Sequence, residues 1–302
     1  MSSTPNLSII LPCLNEGDSL VGLLQTLRKL YPDAEIIVVD DGSTPAVVAD
    51  SSIRVIRHPH RIGNGAAIKT GARNANGDIL VMMDADGQHD PNDIGRFLET
   101  LSQGHDMVVG AREVSTHASI GRRVANKLYN FLASLLTGYR IRDLTSGFRA
   151  VHARPFRNFL YLLPNGFSYP TTSTMAFFRC GYSVAYVPIN ARARTGKSKI
   201  RLLKDGIKFF VIILRIGTLF SPMRFFLPLS AALFILASLV YGYTFASSHR
   251  FTNMSAVLYL SSLFTFIFGI ISEQISALHY RYSEDRRRVA DPLRSDRQHT
   301  AP

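Results

Sequence analysis

Short apolar runs alternate with amphipathic stretches over the first two thirds of the chain, and two much longer apolar runs follow them. Leu7-Ser8-Ile9-Ile10-Leu11 reads as a buried strand. Pro12-Cys13-Leu14-Asn15-Glu16 turns out of it into a helix whose Leu20, Leu23, Leu24 and Leu27 recur at helical spacing. Further strands are predicted at Glu35 to Val39, Ile53 to Ile56, Ile79 to Met83, Asp106 to Gly110 and Val184 to Ile189, with a small-residue helix from Ala66 to Ala75. Strands that alternate with helices predict an α/β fold, a doubly wound, mostly parallel sheet covered on both faces. Ligands of such sheets bind beyond the carboxyl ends of the strands. Asn15, Glu16, Asp40, Asp41, Asp84, Asp86, Gln88 and Arg112 all fall at those ends.

The pattern changes after the fifth strand. A helix is expected from Ile120 to Leu136, carrying Arg122, Arg123 and Lys127, and a glycine-punctuated segment follows from Asp143 to Arg149. A basic loop spans Arg192 to Lys199. From Arg201 to Phe220, polar Arg201, Lys204, Asp205, Lys208 and Arg215 recur among large apolar residues, the spacing of a basic-faced helix lying in a membrane surface. Phe225 to Ala246 and Ala256 to Leu278 are each long enough to cross a bilayer, and the connector between them suffices only for a hairpin turn. The expected organisation is a catalytic domain over 1–199, an interfacial helix over 200–222, two membrane helices within 223–280, and a charged, disordered tail over 281–302.

Composition narrows the picture. The chain has 302 residues, 46% of them hydrophobic, enough for one α/β core with apolar sequence left over. A formal charge of +12 suits nucleic acid, anionic lipid or phosphorylated ligands equally. Position decides between them: Arg215, Arg224, Arg281 and Arg286 to Arg288 flank the outer ends of the apolar pair, whereas its connector holds only Arg250. The positive-inside rule then puts both termini in the cytoplasm, with the charge facing an anionic leaflet and no nucleic-acid partner expected. The polar start Met1 to Asn6 runs straight into a strand, so no secretory signal peptide is expected. Cys13 and Cys180 are read as reduced core thiols, since two such cysteines make neither a disulfide framework nor a zinc site.

Asp84-Ala85-Asp86-Gly87-Gln88 is the densest candidate chemistry. In the turn after a strand, carboxylates two residues apart can converge on a hard divalent cation, Mg2+ or Mn2+, with the Gln88 amide oxygen as a further ligand. An isolated D-x-D is more often an acidic turn. Here Asp40-Asp41 and Asn15-Glu16 at neighbouring strand ends make an acidic crescent that needs compensation by a cation or by donors. Gly63-Asn64-Gly65 lacks the third glycine and acidic partner of a dinucleotide fingerprint. His58, His60 and His89 form no helical i, i+4 pair and read as ordinary turn histidines. Glu273 and Gln274 lie inside the second apolar run, where snorkelling to the interface is favoured over head-group binding.

Taken in order, Pro12-Cys13-Leu14-Asn15-Glu16, Val39-Asp40-Asp41-Gly42-Ser43, Gly63-Asn64-Gly65, Asp84-Ala85-Asp86-Gly87-Gln88, Asp143-Leu144-Thr145-Ser146-Gly147-Phe148-Arg149 and Arg194-Thr195-Gly196-Lys197-Ser198-Lys199 resemble the motifs of family 2 glycosyltransferases. They look most like its polyprenyl-phosphate, dolichyl-phosphate mannose synthase-like branch. The resemblance implies a GT-A fold and an inverting transfer of one sugar from a nucleotide-diphosphate sugar to a polyprenyl phosphate at the cytoplasmic face. It implies a nucleotide-sugar site drawn from Pro12, Asn15, Glu16, Asp40, Asp41, Gly65 and Asp84, and a metal site at Asp84, Asp86 and Gln88. Asp84, Asp86, Arg112 and Arg194 are the implied catalytic residues, and Arg122, Arg123, Arg194, Lys197 and Lys199 the cations for the acceptor phosphate. The Gly166 to Thr172 segment is placed in the wall of the sugar pocket. Two alternatives are weighed: a processive polysaccharide synthase, disfavoured because the chain has no Trp, and a non-catalytic membrane scaffold. A second copy of the chain is a candidate partner for the apolar helices.

Overall fold

The computed structural model describes residues 6–112, 130–131, 133–134, 138–190 and 222–290, with backbone alone for residue 18 and 279–290. Among them, seven strands occur: β1 (Leu7–Cys13), β2 (Glu35–Asp40), β3 (Arg54–Arg57), β4 (Ile79–Met82), β5 (Met107–Arg112), β6 (Arg149–His152) and β7 (Val184–Ile189). The helices are α1 (Gly17–Leu30), α2 (Asn64–Asn74), α3 (Asp93–Ser102), α4 (Ala153–Asn158), α5 (Tyr169–Arg179), α6 (Pro222–Ser248) and α7 (Asn253–Ala290). The strands make one sheet in the order β3-β2-β1-β4-β6-β5-β7. Pairing is parallel except for β6, which lies antiparallel to both β4 and β5. The sequence reading missed β6: Arg149-Ala150-Val151-His152 is only four residues long and follows a run of loop formers, so no period could show itself.

Both faces of the sheet are covered. Ile9, Leu11, Ile36, Val38 and Val81 point to one side, where Leu20, Leu24 and Leu27 of α1 and Ile94 and Phe97 of α3 bury them. Their neighbours Ile10, Ile37, Leu80 and Met82 are 0% exposed on the other side, where α2 packs along β1 and β2. Runs such as Ile36-Ile37-Val38-Val39 are apolar at every position because each side chain meets a layer. The outer strand β3 instead exposes Arg54 and Arg57, charges that discourage edge pairing. Cys13 is buried, Cys180 half-buried, and neither forms a disulfide.

The chain separates into two compact units, the one just described and a second that holds α6 and α7. Both helices are long and apolar enough to cross a membrane. They form an antiparallel pair whose buried positions are small. Ser255, Ser262 and Ser276 are at most 5% exposed, and with Gly269 they repeat every seven residues along α7, facing Ser230 and Ala237 at the same spacing on α6. A seven-residue seam is what lets two helices coil left-handedly at close range. The Ser230 hydroxyl donates to the Ser262 carbonyl at 3.1 Å and the Ser262 hydroxyl donates back to the Ser230 carbonyl at 2.9 Å. Glu273 accepts the Met223 backbone N–H at 3.2 Å, a cap for the first turn of α6 that the snorkelling expectation did not foresee. α7 runs on to Ala290, eight residues past Tyr282, where a disordered tail was expected. Extending an existing helix adds one bond per residue without a new nucleus, and Arg, Glu and Ala suit it well. The expected interfacial helix over 200–222 lies outside the described residues apart from Pro222, which opens α6.

Candidate functional site

Register brings the acidic strand ends together. β1 pairs with β2 up to Cys13 opposite Asp40, and with β4 up to Ile10 opposite Met82. The pairing is carried one step further by Asp41 N–H to the Cys13 carbonyl at 2.9 Å and Met83 N–H to the Ile10 carbonyl at 3.1 Å. Three chain segments therefore leave the central strands side by side and enclose a cleft of about 360 Å3. Pro12, Glu16, Asp41, Asp84, Asp86 and Gln88 line it, all singled out by the sequence, and so do Arg61, Asn64 and Phe167.

The adjacent carboxylates of Asp40 and Asp41 have parted company, as alternation along a strand requires. Asp40 is 0% exposed and is not a wall of the cleft. It accepts the backbone N–H groups of Ser43 at 2.8 Å and Val47 at 3.3 Å, with Arg57 at 3.7 Å. Burial pushes its pKa up, but these donors and the guanidinium outweigh burial and hold it below the ordinary value. Asp41 faces the cleft and organises its rim. Its Oδ1 accepts the Ile62 N–H at 2.9 Å and meets His58 Nδ1 at 2.8 Å, and its Oδ2 accepts the Gly63 N–H at 2.8 Å. His58 Nε2 lies 2.9 Å from the Thr70 hydroxyl on α2. Asp41 thereby fixes the 58–63 loop, which delivers Arg61 and Asn64 into the cleft. Asn15, in a left-handed conformation (φ 57°) that Asn tolerates, stitches the two rims together: its N–H donates to Ser43 Oγ at 3.0 Å and its Oδ1 accepts the Thr44 N–H at 2.9 Å.

The turn after β4 is pinned from both sides. Ser19 on α1 donates to the Ala85 carbonyl at 2.9 Å. Gly147 lies so close to Asp84 that a Cβ there would stand 2.9 Å from its Oδ2. Asn64 Nδ2 reaches Asp84 Oδ1 at 3.4 Å, and Asp86 Oδ1 accepts the Gln88 N–H at 3.2 Å. The donors that Asp84, Asp86 and Gln88 offer to one cleft are hard oxygens, the set that suits Mg2+ or Mn2+. Among the described residues no three His, Cys, Asp or Glu side chains converge on one point. The residues therefore fit a cation held by one or two carboxylates and completed by water and ligand phosphate, the usual arrangement for Mg2+.

Arg112 stands apart from the cleft walls. Its Nε and Nη2 donate to Asp143 at 2.8 Å and 3.0 Å, and Nη2 also donates to Thr145 Oγ1 at 2.6 Å. Burial opposes both charges, yet the paired hydrogen bonds prevail, so Asp143 is held below its ordinary pKa and Arg112 above its own. His89 stacks on Phe148 at 4.9 Å, and burial depresses its pKa despite Asp84 and Asp86 nearby. Arg149 is fully buried, with neutral partners: its Nη1 donates to the Pro170 carbonyl at 3.0 Å and Ser173 Oγ at 2.7 Å, and its Nη2 to the Ser146 carbonyl. It ties the Ser146-Gly147 backbone that supports Asp84 to α5.

Of the remaining expected residues, Gly65 packs under the Pro164 and Gly166 carbonyls and does not line the cleft. Arg122, Arg123, Arg194, Lys197 and Lys199 lie outside the described residues. Arg61 was missed because a lone arginine in a polar loop has no period to mark it, although the Gly63-Asn64-Gly65 motif directly after it was the available signal.

The chain is similar in sequence and fold to known proteins. Residues 8–160 match the model for glycosyl transferase family 2, and residues 221–278 match a second model, the GtrB C-terminal hairpin. An undecaprenyl-phosphate mannosyltransferase of Micrococcus luteus is 30% identical over 63% of this chain and 86% of its own. An undecaprenyl-phosphate 4-deoxy-4-formamido-L-arabinose transferase of Yersinia pestis is 27% identical over 90% of this chain and 88% of its own. Glucosyl-3-phosphoglycerate synthase from Mycobacterium tuberculosis, crystallised with Mn2+, UDP and glucosyl-3-phosphoglycerate, shares the fold at a TM-score of 0.56 and 22% identity, over 70% of this chain and 80% of that one. With the first of these models spanning just over half its length, the chain belongs to glycosyl transferase family 2.

Proposed function

We propose that this protein transfers a single sugar, with inversion, from a nucleoside-diphosphate sugar to a polyprenyl phosphate, with its sheet-bearing domain on the cytoplasmic side of a membrane. One observation carries the reading: the same chain contains a cleft lined by Asp41, Arg61, Asp84, Asp86 and Gln88 and, in sequence after it, an apolar helical hairpin. Relatives named for undecaprenyl-phosphate glycosyl transfer support it over most of the chain.

The nucleotide is bound along Pro12 to Glu16 and Asp41, and its diphosphate faces Asp84, Asp86 and Gln88. A divalent cation held by these three, when bound, offsets the negative charge that builds on the leaving nucleoside diphosphate. The carrier phosphate is already an anion at neutral pH, so its attack on the anomeric carbon requires no strong general base. What the acceptor requires is cations, and Arg122, Arg123, Arg194, Lys197 and Lys199 supply them in this reading. Arg112, oriented by Asp143, adds positive charge near Asp84.

The decisive experiment is transfer by Asp86→Asn, assayed with purified protein, a panel of labelled nucleotide sugars and polyprenyl phosphate. Loss of at least about a hundredfold in transfer, with unchanged circular dichroism, is expected from removing one charged ligand. Full activity of the variant overturns the assignment.

A further inference from the structure

Phe167 is 74% exposed, although it is a large aromatic residue on the wall of a polar cleft. Water exposes single apolar side chains commonly enough, so exposure alone says little. The backbone that carries this one is held at several points. Gly63 and Gly65 lie directly beneath the Asn165 and Pro164 carbonyls with no room for a Cβ. The Ala66 N–H donates to the Asn165 carbonyl at 3.1 Å. Lys69 Nζ donates to the Leu163 carbonyl at 3.0 Å and also to Asn165 Oδ1. Two residues beyond Phe167, Tyr169 is buried and its hydroxyl donates to the Gly147 carbonyl at 3.3 Å.

Two anchor points hold the chain on either side of Phe167. One is the first turn of α2; the other is Gly147, the residue that backs Asp84. Phe167 thus lines the cleft just after backbone that packs on Gly63 and Gly65, the glycines flanking Asn64, whose Nδ2 reaches Asp84 Oδ1 at 3.4 Å. An exposed aromatic face on a clamped loop is suited to a flat partner with polarised C–H bonds, because the negative face of the ring attracts their partial positive charge. Beyond the diphosphate of a nucleotide sugar, the group that presents such a face is the pyranose ring.

From this geometry we infer that Phe167 is a specificity-determining residue, its ring forming the platform on which the donor's sugar lies. The inference rests on the proposed glycosyl transfer and deepens it. Ring stacking discriminates among sugars by which C–H groups they present on one face: a sugar whose face is broken by an axial hydroxyl loses contact there.

The test is calorimetric titration of the full-length protein in detergent with Mn2+ and either UDP, GDP or the corresponding nucleotide sugars, for wild type, Phe167→Ala and Phe167→Tyr. Because the side chain is exposed, both variants are expected to fold. Phe167→Ala is expected to weaken the preferred nucleotide sugar by about three- to tenfold, the range of one aromatic contact, while the free nucleoside diphosphate stays within about twofold. Phe167→Tyr keeps the ring and retains most of the affinity. Equal weakening of diphosphate and nucleotide sugar puts the ring against the base and overturns the inference alone. So does an unchanged donor affinity, including the case where only the KM for carrier lipid rises. A wild-type chain that binds no nucleotide sugar overturns both this inference and the proposed function.

Discussion

The sheet-bearing unit and the helical hairpin sort the same residue types in opposite ways. In the first, Ile10, Ile37, Val38 and Phe97 are sealed from solvent and charges ring the strand ends. In the second, Ser230, Ser255, Ser262 and Ser276 are buried, while Phe234, Leu239 and Leu263 are 56%, 66% and 52% exposed. Burial of apolar surface drives packing only where the alternative is water. Where lipid is the alternative, Leu gains little from a protein neighbour, and close approach of small residues with hydroxyl-to-carbonyl bonds takes over. An inside-out hairpin is therefore the form expected of a segment whose solvent is hydrocarbon, and it makes this a membrane protein.

Substitutions can break that contrast. The largest effect is expected at Ile37→Ala, which empties a site 0% exposed between strand and helix and should lower the stability of the sheet-bearing unit by about 2–5 kcal/mol. Leu239→Ala removes the same kind of side chain from an exposed face of α6 and should change stability by under about 0.5 kcal/mol. Chemical unfolding in detergent, followed separately for the two units, measures both; equal losses would deny the membrane reading. Gly269→Leu comes next. Its Cβ would sit 2.7 Å from Phe226 Cβ and 3.0 Å from Met223 Sδ, and overpacking of this kind costs about 1–3 kcal/mol, seen as a lower melting temperature of the hairpin.

Smaller shifts sharpen the comparison from the polar side. Asp143→Asn breaks the bidentate pair with Arg112 and should cost about 1–3 kcal/mol, toward the lower end because the Arg112 side chain is 40% exposed. Its pH dependence has a definite sign. The carboxyl is held below its unfolded value of 3.8, so its contribution is present above that pH and is lost as pH falls through the lower folded value. The stability gap between wild type and variant is thus constant at neutral pH and closes only in strong acid, as denaturation curves over a pH series will show. Ser230→Ala removes one of two reciprocal bonds between α6 and α7 and should lower hairpin stability by about 0.6 kcal/mol, the usual size of such bonds in a membrane.

Much of the fold was legible in advance because it rests on local period. Ile36-Ile37-Val38-Val39 is apolar at every position, which specifies a strand covered on both faces, and Phe225 to Ala246 is too long and too apolar for anything but a span. Pro12, Glu16, Asp41, Asp84, Asp86 and Gln88 were found because a parallel sheet gathers its strand ends along one edge. The strand β6 was illegible, since its four residues acquire a role only by pairing between β4 and β5.

Which of two neighbouring carboxylates serves the cleft was likewise a tertiary decision. Asp40 and Asp41 are chemically identical in the sequence, and only the alternation of the strand against its neighbours turns one inward to hold the Ser43 turn and the other outward to hold the Arg61 loop. Arg112 reads as an unpaired cation until folding places Asp143, thirty-one residues later, against it. The sequence by itself determined most of the strands, the strand-end chemistry and the membrane hairpin, because those follow from periods of two and 3.6 and from apolar length. Tertiary structure decided which charges are spent holding loops, and it brought Phe167 into the wall of the cleft that Asp84 also lines, because both outcomes depend on contacts between residues far apart in the chain.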